Sequence, residues 1–234
     1  MTRLAIIGLG KMGRAVEQLA AAHGFDVVAR IDTTGGDAHD VTAETLNGAE
    51  VAVEFTTPEA APANIRVCAA ARCPIVVGTT GWDARRPEVE EFVREVGGAL
   101  LAAPNFSIGV AAFMMTVEAA ADAMRAAPGF DVHLIETHHA QKKDAPSGTA
   151  LAIARAASAR LGREVPITSV RTGSVPGVHE LVFDAPFEQI RLVHSARDRR
   201  VFAEGALRAA AWLVGRRGIF TLRDVLTTTK ESAT

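Results

Sequence analysis

The first half of the chain alternates short apolar runs with segments of helical periodicity. Largely apolar runs lie at 3–7, 27–31, 51–55, 75–77 and 99–103. Helices are predicted after the first run, where Met12, Val16 and Leu19 recur at helical spacing, and at 58–72 and 87–96. Apolar strands separated by helices are typical of a parallel sheet covered on both faces, so the pattern predicts an α/β domain.

The pattern changes after Asn105. A long helix is predicted at 110–126, a strand at 130–136, a helix at 149–161 and a last helix at 200–214. Between the last two helices, segments at 167–171, 178–183 and 189–194 are separated by connections that contain Pro or Gly, which favours antiparallel strands. We therefore expect two lobes, with a boundary near Pro104 and a return of the chain to the first lobe near Phe202.

Composition excludes some classes of partner. The 234 residues carry a formal net charge of -2, and 48% of them are hydrophobic against 22% charged. Binding of nucleic acid or of a membrane surface needs a clustered basic surface, so neither partner is expected. We expect no secretory signal, because the apolar run at the N-terminus is short and a glycine turn interrupts it. Cys68 and Cys73 are expected to be free thiols in a reducing cytoplasm.

A glycine-rich turn joins the first predicted strand to the first helix. It reads Gly8-Leu9-Gly10-Lys11-Met12-Gly13, which is G-x-G-x-x-G. Such glycines let the backbone approach a pyrophosphate, which the amides and dipole of the helix N-terminus then stabilise. Asp32 ends the second strand, where a carboxylate can bind a ribose diol. The combination indicates a dinucleotide site, although a purely structural turn would use the same glycines.

The surroundings of Asp32 favour NADH as the cofactor. Thr33 and Thr34 follow it, so no arginine is at hand to receive the 2′-phosphate of NADPH, which the carboxylate would repel. Arg30 and Lys11 lie nearby in the sequence, and NADPH is therefore disfavoured rather than excluded.

Two more polar segments follow predicted strands of the first lobe. They are Gly78-Thr79-Thr80 and Ala103-Pro104-Asn105-Phe106. Ligands bind at the carboxyl ends of the strands in an open parallel sheet, so both segments are predicted to line the cofactor crevice. For either segment alone, an ordinary loop explains the composition equally well.

The segment 136–150, ETHHAQKKDAPSGTA, ends at a helix-forming run. Ser147, Gly148 and Thr149 are predicted to begin that helix, whose backbone amides can bind a carboxylate or a phosphate. Lys142 or Lys143 can add a positive charge to this anion site. A helix cap formed by Ser147, with no ligand, is the alternative.

The same segment contains two adjacent histidines. One of His138 and His139 is a candidate general acid, because imidazole titrates near neutral pH. Two surface histidines without a role are the alternative. A metal is not expected, because adjacent residues of an extended chain point to opposite sides and no third ligand is evident.

These motifs resemble those of the 4-hydroxy-tetrahydrodipicolinate reductases (dihydrodipicolinate reductases) of lysine and diaminopimelate biosynthesis. The motif E-x-H-H-x-x-K-x-D-A-P-S-G-T-A, at 136–150, is long and specific. Supporting matches lie at 8–13, 55–59, 78–81, 105–109, 171–173, 178–180 and 202–206. The resemblance extends over nearly the whole chain.

The resemblance implies a fold and an activity. Residues 1–104 and 203–234 would form a Rossmann-type, doubly wound parallel sheet that binds the dinucleotide. Residues 105–202 would form a smaller α+β domain with a mixed sheet, which binds the substrate and builds a homotetramer. The activity implied is that of a cytoplasmic oxidoreductase that transfers hydride from NADH or NADPH to a cyclic dicarboxylate.

The resemblance also implies residue roles. His138 would be the proton donor and acceptor, and Lys142 a second proton donor. The substrate carboxylates would be held by His139, Ser147, Gly148 and Thr149. The anion site predicted from the helix N-terminus agrees with this, because the substrate carries two carboxylates.

The chain departs from the family pattern in three places. Its glycine turn is one residue shorter than the usual G-x-x-G-x-x-G, Thr33 stands where arginine is common, and the segment between Leu161 and Val170 is short. The short segment motivates an alternative, a related NAD(P)-dependent dehydrogenase that acts on an amino acid or another small carboxylate. A redox sensor that binds NAD without turnover is a third hypothesis, which the ordered run of acid, lysine and anion site disfavours.

Overall fold

The computed structural model describes residues 1–228, which fall into two compact units. One unit contains Met1–Ile108 and the segment that begins at Arg200, and the other contains Gly109–Arg199. The junctions predicted from the sequence were at 104/105 and 202/203, and residues 229–234 of the predicted first domain lie outside the described residues. Within residues 1–228, no helix is both long enough and apolar enough to cross a membrane.

The described residues contain eleven strands. They are β1 (Thr2–Ile7), β2 (Phe25–Asp32), β3 (Gly35–Gly36), β4 (Val51–Glu54), β5 (Ile75–Val77), β6 (Ala99–Ala102), β7 (Asp131–His138), β8 (Ile167–Arg171), β9 (Val178–Ala185), β10 (Glu188–Ser195) and β11 (Gly218–Phe220).

Seven α-helices accompany them in the same part of the chain. They are α1 (Lys11–Ala20), α2 (Ala61–Ala70), α3 (Arg86–Glu95), α4 (Ile108–Arg125), α5 (Gly148–Leu161), α6 (Arg200–Leu213) and α7 (Leu222–Thr227).

The first unit is built on a sheet in the order β11-β6-β5-β4-β1-β2-β3. Its pairings are parallel apart from that of β3, which runs antiparallel to β2. β1 lies between β2 and β4, so successive crossovers leave it in opposite directions along the sheet. The predicted Rossmann-type sheet is therefore confirmed, with a topological switch point beside the glycine turn.

Helix α6 returns the chain to the first unit by close packing. A Cβ on Gly205 would lie 1.6 Å from the carbonyl oxygen of Phe106, so only glycine fits at this contact. Small residues that surround it on the helix, including Ala203, Ala206 and Ala209, are fully buried. The apolar face of α6 therefore completes the core of this unit.

The second unit is built on a sheet in the order β10-β9-β7-β8. One face packs against α4 and α5 in a single apolar cluster, in which Phe113 and Ile153 of the helices meet Leu134 and Phe183 of the strands. Burial alternates along β7, as expected of a strand with one covered face. A smaller α+β domain with a mixed sheet is confirmed.

Two expectations about this sheet were wrong in detail. The strand at 167–171 was expected to pair antiparallel, but β8 runs parallel to β7, because α5 connects the two strands as a crossover. The strand predicted at 130–136 extends to His138, which places this imidazole on the sheet. In the first unit, strands β3 and β11 and helix α7 were not predicted, because none of them contains a run of buried apolar residues.

Candidate active site

The glycines of the predicted cofactor turn meet different constraints. Gly8 has a φ of 90°, and a Cβ there would lie 2.1 Å from the carbonyl oxygen of Phe55. A Cβ on Gly13 would lie 1.8 Å from the carbonyl oxygen of Gly8, whereas one on Gly10 would meet nothing within 4 Å. Gly8 and Gly13 are thus required by the fold, and Gly10 leaves open space at the N-terminus of α1.

The other residues of the turn surround that space. Leu9 and Met12 are half-buried and Lys11 is exposed. A pyrophosphate fits here, because a helix N-terminus offers backbone amides and the positive end of the helix dipole.

The carboxylate of Asp32 is tied to the glycine turn. Its Oδ2 accepts a hydrogen bond from Leu9 N at 2.6 Å. Its Oδ1 accepts hydrogen bonds from Thr34 N at 2.9 Å and from Thr34 Oγ1 at 2.8 Å. The hydrogen bond from Leu9, followed by those from Thr34, lowers the pKa of Asp32 below its ordinary value. The carboxylate is therefore charged at neutral pH and lies beside the turn, as a ribose-binding acid must.

Arg30, the nearest arginine in the sequence, is already engaged. Its Nε contacts Glu17 Oε1 at 2.5 Å, and its Nη1 lies 3.6 Å from Asp37 Oδ2. Two carboxylates thus hold the guanidinium, so that its charge is compensated within the first unit.

A buried carboxylate that the sequence analysis did not select ends β4. Glu54 is fully buried, and its Oε1 accepts hydrogen bonds from the backbone and the hydroxyl of Thr56. Thr56 N also donates to Thr79 Oγ1 at 2.7 Å, which joins the segments after β4 and β5. Burial raises the pKa of Glu54, and the hydrogen bonds from Thr56 and Thr79 oppose that shift. A charged residue in an otherwise apolar strand was the signal that could have found it.

The two loop segments predicted to bind the cofactor meet at Phe55. A Cβ on Gly78 would lie 2.0 Å from the Phe55 ring, and the ring of Phe106 packs edge-on against it at a centroid distance of 6.1 Å. Phe106 and Ala103 are buried, whereas Thr80 and Pro104 are exposed. Asn105 Oδ1 accepts a hydrogen bond from Ser107 N at 2.8 Å. Both segments therefore lie at the carboxyl edge of the sheet.

In the second unit, His138 ends β7 on its buried face. Glu136 lies two residues earlier on the same face, is fully buried and contacts His138 Nδ1 through Oε2. Burial lowers the pKa of His138 below its ordinary value; the Glu136 carboxylate opposes this shift, and the charges of Lys142 and Arg171 add to it. The strand thus presents an imidazole whose Nδ1 faces a carboxylate.

Arg171 connects that carboxylate to the loop after β7. Its Nη2 donates hydrogen bonds of 2.6 Å to Glu136 Oε1 and to the carbonyl oxygen of Asp144. Burial raises the pKa of Glu136, but the hydrogen bonds from Arg171 and Ser169 and the charges of His138 and Arg171 together outweigh burial, so the pKa lies below its ordinary value. Glu136 is therefore a carboxylate with both oxygens in contact with a basic side chain.

The loop from 139 to 147 carries the other predicted catalytic groups. Lys142 Nζ contacts both carboxylate oxygens of Asp144, at 2.8 and 2.9 Å. His139 is half-buried, and Lys143 is exposed. The predicted second proton donor thus belongs to an ion pair on the loop that Arg171 holds.

The loop ends at the N-terminus of α5. Ser147 is the N-cap residue, is buried and accepts a hydrogen bond from Ala150 N at 3.1 Å. Its hydroxyl therefore caps the helix, which was the alternative to a direct ligand contact. Gly148 is exposed and Thr149 half-buried, so the first turn of α5 remains accessible for an anion.

A third histidine completes this cluster. The His179 ring on β9 packs edge-on against His138 at a centroid distance of 5.3 Å, and its Nε2 lies 3.4 Å from Ser147 Oγ. Burial, followed by the neighbouring His138, lowers the pKa of His179 to about 4. His179 is therefore neutral at neutral pH and lies between the imidazole of His138 and the cap of α5.

The cluster contains three groups that can bind metals. One possible ligand atom from each of Glu136, His138 and His179 lies within 4.8 Å of the others. Two positive charges, on Arg171 and Lys142, act on the same groups and would repel a divalent cation. We therefore interpret the cluster as a proton-transfer site.

Comparison with known proteins decides the family. The model of the dihydrodipicolinate reductase N-terminus matches residues 2–106, and that of the dihydrodipicolinate reductase C-terminus matches residues 109–226. The chain belongs to the dihydrodipicolinate reductase family. It is therefore an oxidoreductase of a family that depends on a pyridine nucleotide.

Individual relatives agree with the family assignment. The chain is 39% identical to the 4-hydroxy-tetrahydrodipicolinate reductase of Thiobacillus denitrificans, over 96% of this chain and 98% of that protein. It is 33% identical to the enzyme of the same name from Christiangramia forsetii, over 95% of this chain and 97% of that protein. The structure of dipicolinate-bound dihydrodipicolinate reductase from Paenisporosarcina sp. TG-14 has the same fold, with a TM-score of 0.83, 23% identity and coverage of 97% of this chain and 100% of that one.

The length of the second alignment bears on the short segment after Leu161. The alignment to the Christiangramia forsetii reductase spans 237 positions, whereas the one to Thiobacillus denitrificans spans 265. A reductase of the family can therefore be nearly as short as this chain. The short segment is therefore little reason to prefer the alternative, a dehydrogenase that acts on an amino acid.

Sequence reasoning about this reductase missed the groups that surround His138. Glu136, Arg171 and His179 all appeared in the matching motifs, but no role was given to them. Arg171 lies far along the chain from Glu136, and only the parallel pairing of β7 with β8 brings the two together. An acid followed two residues later by a histidine on a strand was the one local signal, because alternate strand residues share a face.

Proposed function

We propose that this chain reduces 4-hydroxy-tetrahydrodipicolinate to tetrahydrodipicolinate in lysine and diaminopimelate biosynthesis, with NADH as the preferred hydride donor. One observation carries the residue roles. A single loop joins the buried imidazole of His138 to the N-terminus of α5 and carries Lys142 between them. A proton donor, an ammonium group and an anion site therefore belong to one rigidly anchored segment, which suits a reaction that reduces and protonates a dicarboxylate.

The substrate carboxylates are bound by the start of α5 and by His139. Gly148 and Thr149 supply the first backbone amides of the helix, where the dipole favours negative charge. Ser147 contributes by fixing this first turn, since its hydroxyl caps the helix. Lys142 adds a positive charge near the bound diacid.

Protons are supplied by His138 and Lys142. Loss of water from the hydroxyl-bearing carbon of the substrate gives a conjugated imine. A bound dinucleotide would supply a hydride to this conjugated system and the chain would protonate the resulting enamine, so that the substrate gains one hydride and one proton and loses one water. His138 donates a proton from the nitrogen that does not face Glu136, and Lys142 is the second donor. The cationic groups of the cluster also stabilise negative charge that develops on the substrate.

The first unit holds the dinucleotide. The pyrophosphate lies at Gly10 and the first turn of α1, and Asp32 accepts hydrogen bonds from the ribose diol. The segments 78–80 and 103–106 line the site at the carboxyl edge of the sheet. This fit to a diol, rather than to a phosphate, supports NADH.

Asp32 is expected to set the preference for NADH over NADPH. Its charge repels a 2′-phosphate, and Arg30 is held by Glu17 and Asp37. We expect the double variant Asp32→Ser, Thr33→Arg to raise the ratio of kcat/KM for NADPH to that for NADH by at least about tenfold, or 1.4 kcal/mol. Steady-state kinetics with both cofactors measure this ratio. The single variant Asp26→Ser, which removes an exposed carboxylate near the other end of β2, serves as a control and should leave the ratio unchanged. An unchanged ratio in the double variant would contradict the assignment of Asp32.

We also propose that the chain forms a homotetramer through the outer face of the second sheet. Residues on that face or its edge, including Val193 and Val170, are 56% and 37% exposed in the single chain. Ile135 of β7 and Val182 of β9 lie half-buried on the same face between the two edge strands. Several apolar side chains on one exposed face, unlike single ones, are typical of interaction surfaces. Sedimentation equilibrium should give about four times the chain mass, and Val193→Asp should shift the distribution towards smaller species. A monomeric wild type would contradict the proposal.

Activity is tested directly on the dicarboxylate substrate. Mixing pyruvate and aspartate semialdehyde with the preceding condensing enzyme generates the substrate, and the loss of the nicotinamide absorbance of NADH follows its reduction. We expect oxidation that depends on both precursors and is inhibited by pyridine-2,6-dicarboxylate. Activity on an amino acid, with none on this substrate, would overturn the proposal.

A cytoplasmic location is proposed as well, supported by the two free, buried cysteines.

A further inference from the structure

Arg171 makes an unusual set of contacts for an arginine on a sheet. One nitrogen, Nη2, donates to the side chain of Glu136 and to the backbone oxygen of Asp144, both at 2.6 Å. Its Nη1 donates to the carbonyl oxygen of Val170 at 2.8 Å. The side chain is 17% exposed, and β8 pairs Arg171 directly with His138 of β7. A single guanidinium therefore touches the strand that carries one proton donor and the loop that carries the other.

Glu136 is the second member of this arrangement. It receives Arg171 on Oε1 and contacts His138 Nδ1 with Oε2. An imidazole whose Nδ1 faces a carboxylate keeps its proton on that nitrogen, which fixes the tautomer and leaves Nε2 for other partners. A Cβ on Gly177 would lie 3.1 Å from Nε2, so the absence of a side chain there keeps that side of the ring open.

We propose that Glu136 and Arg171 are a positioning pair, in which Glu136 fixes the ring and tautomer of His138 while Arg171 holds both Glu136 and the loop that carries Lys142. The inference rests on the proposed roles of His138 and Lys142 in reduction of the dicarboxylate. In this proposal neither Glu136 nor Arg171 contacts the substrate. Each acts through a group that has such contact.

The pattern along β7 argues against a purely structural pair. Val132 and Leu134 precede Glu136 on the same face of the strand and belong to the apolar core. Continuing that face with apolar residues would stabilise the fold at least as well, because a buried ion pair costs desolvation energy that its attraction repays only in part. A charged pair at the end of an apolar face, in contact with the proton donor, is better explained by a role in the chemistry.

Removal of Glu136 and removal of Arg171 are expected to shift the pKa of His138 in opposite directions. Charged or titratable groups face His138 from four elements: Glu136 on β7, Arg171 on β8, His179 on β9 and Lys142 on the following loop. The Glu136 carboxylate raises the pKa of His138, and the Arg171 charge lowers it. Removing the carboxylate should therefore lower the pKa of His138, and removing the guanidinium should raise it.

The experiment compares Glu136→Gln and Arg171→Met with the wild type on the dicarboxylate substrate across the neutral pH range. We expect kcat to fall by about 10- to 100-fold in both, less than the roughly 10²- to 10⁴-fold that general acid catalysis itself contributes, because His138 and Lys142 remain in place, while KM for NADH stays unchanged. Protonated His138 is the active form, so activity falls as the pH rises through its pKa. This limb should move to lower pH in Glu136→Gln and to higher pH in Arg171→Met.

Matched controls remove a similar pair elsewhere in the same unit. Arg160 contacts Asp122 at 3.2 Å and Glu118 at 3.4 Å on the surface between α5 and α4. Asp122→Asn and Arg160→Met should leave kcat and the pH limb unchanged. If either test variant fails to fold, Glu136→Asp and Arg171→Lys, which keep the charges, replace it and should recover the position of the limb with a reduced kcat.

The outcomes separate the two proposals. Limbs that stay in place in Glu136→Gln and Arg171→Met, or that move in the same direction in both, would overturn the positioning pair, as would a wild-type kcat in these variants. In Glu136→Asp and Arg171→Lys, a displaced limb or a wild-type kcat would overturn it. If kcat falls equally at every pH and the melting temperature falls as well, the pair contributes to stability alone. Absence of turnover by the wild type on the dicarboxylate would instead sink the proposed function.

Discussion

Replacing His138 by glutamine should lower kcat by about 10²- to 10⁴-fold, the range that general acid–base catalysis contributes. Glutamine approximates the size of the imidazole and can still contact Glu136. The loss of kcat therefore measures the missing proton donor and not a cavity left by a smaller side chain. The dissociation constant for NADH should not change, because the dinucleotide is assigned to the first unit. Steady-state kinetics and NADH titration measure the two effects separately.

His133 provides the matched control for this variant. It lies on the same strand, β7, but on the other face, where its Nε2 lies 2.7 Å from Thr168 Oγ1. His133→Gln should keep kcat within about twofold of the wild type, or about 0.4 kcal/mol in the barrier, because its ring lies on the face of β7 opposite His138 and contacts none of the groups assigned to the chemistry. A His138→Gln variant with normal kcat would remove His138 from the chemistry and leave Lys142 as the proton donor.

Lys142 tests whether the two donors act as one unit. Lys142→Ala removes the partner of Asp144 as well as an ammonium group. When residues serve a single step, their effects on kcat are far from additive. We therefore expect the double variant of His138 and Lys142 to lose little more than the more damaging single variant, whereas independent roles would give the product of the two losses.

Much of the first unit was visible in the sequence because the central strands of its sheet are buried on both faces. β5 and β8 were predicted with their observed ends, and the elements of the first unit followed in the predicted order. The pairing of β8 was less accessible, since it depends on how α5 crosses back over the sheet and not on the residues of β8. Strand β11 has three residues, as β5 does, but it begins with a glycine and is only half-buried, whereas β5 is a fully buried Ile-Val-Val run.

Features of the candidate site formed by residues close together in the chain were predicted, and contacts between residues far apart in the chain were missed. The G-x-G-x-x-G turn, Asp32 and the start of α5 are local, because strand, turn and helix N-terminus adjoin in the chain. By contrast, the hydrogen bond from Arg171 to Glu136 joins residues 35 positions apart. The hydrogen bond from Leu9 N to Asp32 was equally invisible, since it arises only when β2 pairs with β1.

Substitution of two glycines of the turn by alanine, one at a time, should separate effects on folding from effects on cofactor binding. In Gly13→Ala the added Cβ would lie 1.8 Å from the backbone oxygen of Gly8, where no flexible side chain can move away. We expect a loss of more than about 3 kcal/mol of stability. For a chain of this length that lowers the melting temperature by at least about 6 °C.

Gly10→Ala is the matched variant in the same turn. Gly10 has φ -66° and ψ -165°, which alanine adopts without strain, and its Cβ would meet no protein atom within 4 Å. The melting temperature should therefore change by less than about 3 °C, since the loss of a glycine N-cap costs less than about 1 kcal/mol. The dissociation constant for NADH should nevertheless rise at least about tenfold, because the methyl group occupies the space through which the pyrophosphate approaches the backbone.

Calorimetry of both variants, with and without NADH, measures the two effects together. Gly13→Ala should melt early in either condition, and Gly10→Ala should melt like the wild type without cofactor but gain less from it. Stabilisation by a ligand grows with the logarithm of its concentration over its dissociation constant, so a tenfold weaker site loses about 1.4 kcal/mol of it at saturating NADH. Equal stabilisation of Gly10→Ala and the wild type would place the pyrophosphate somewhere other than the N-terminus of α1.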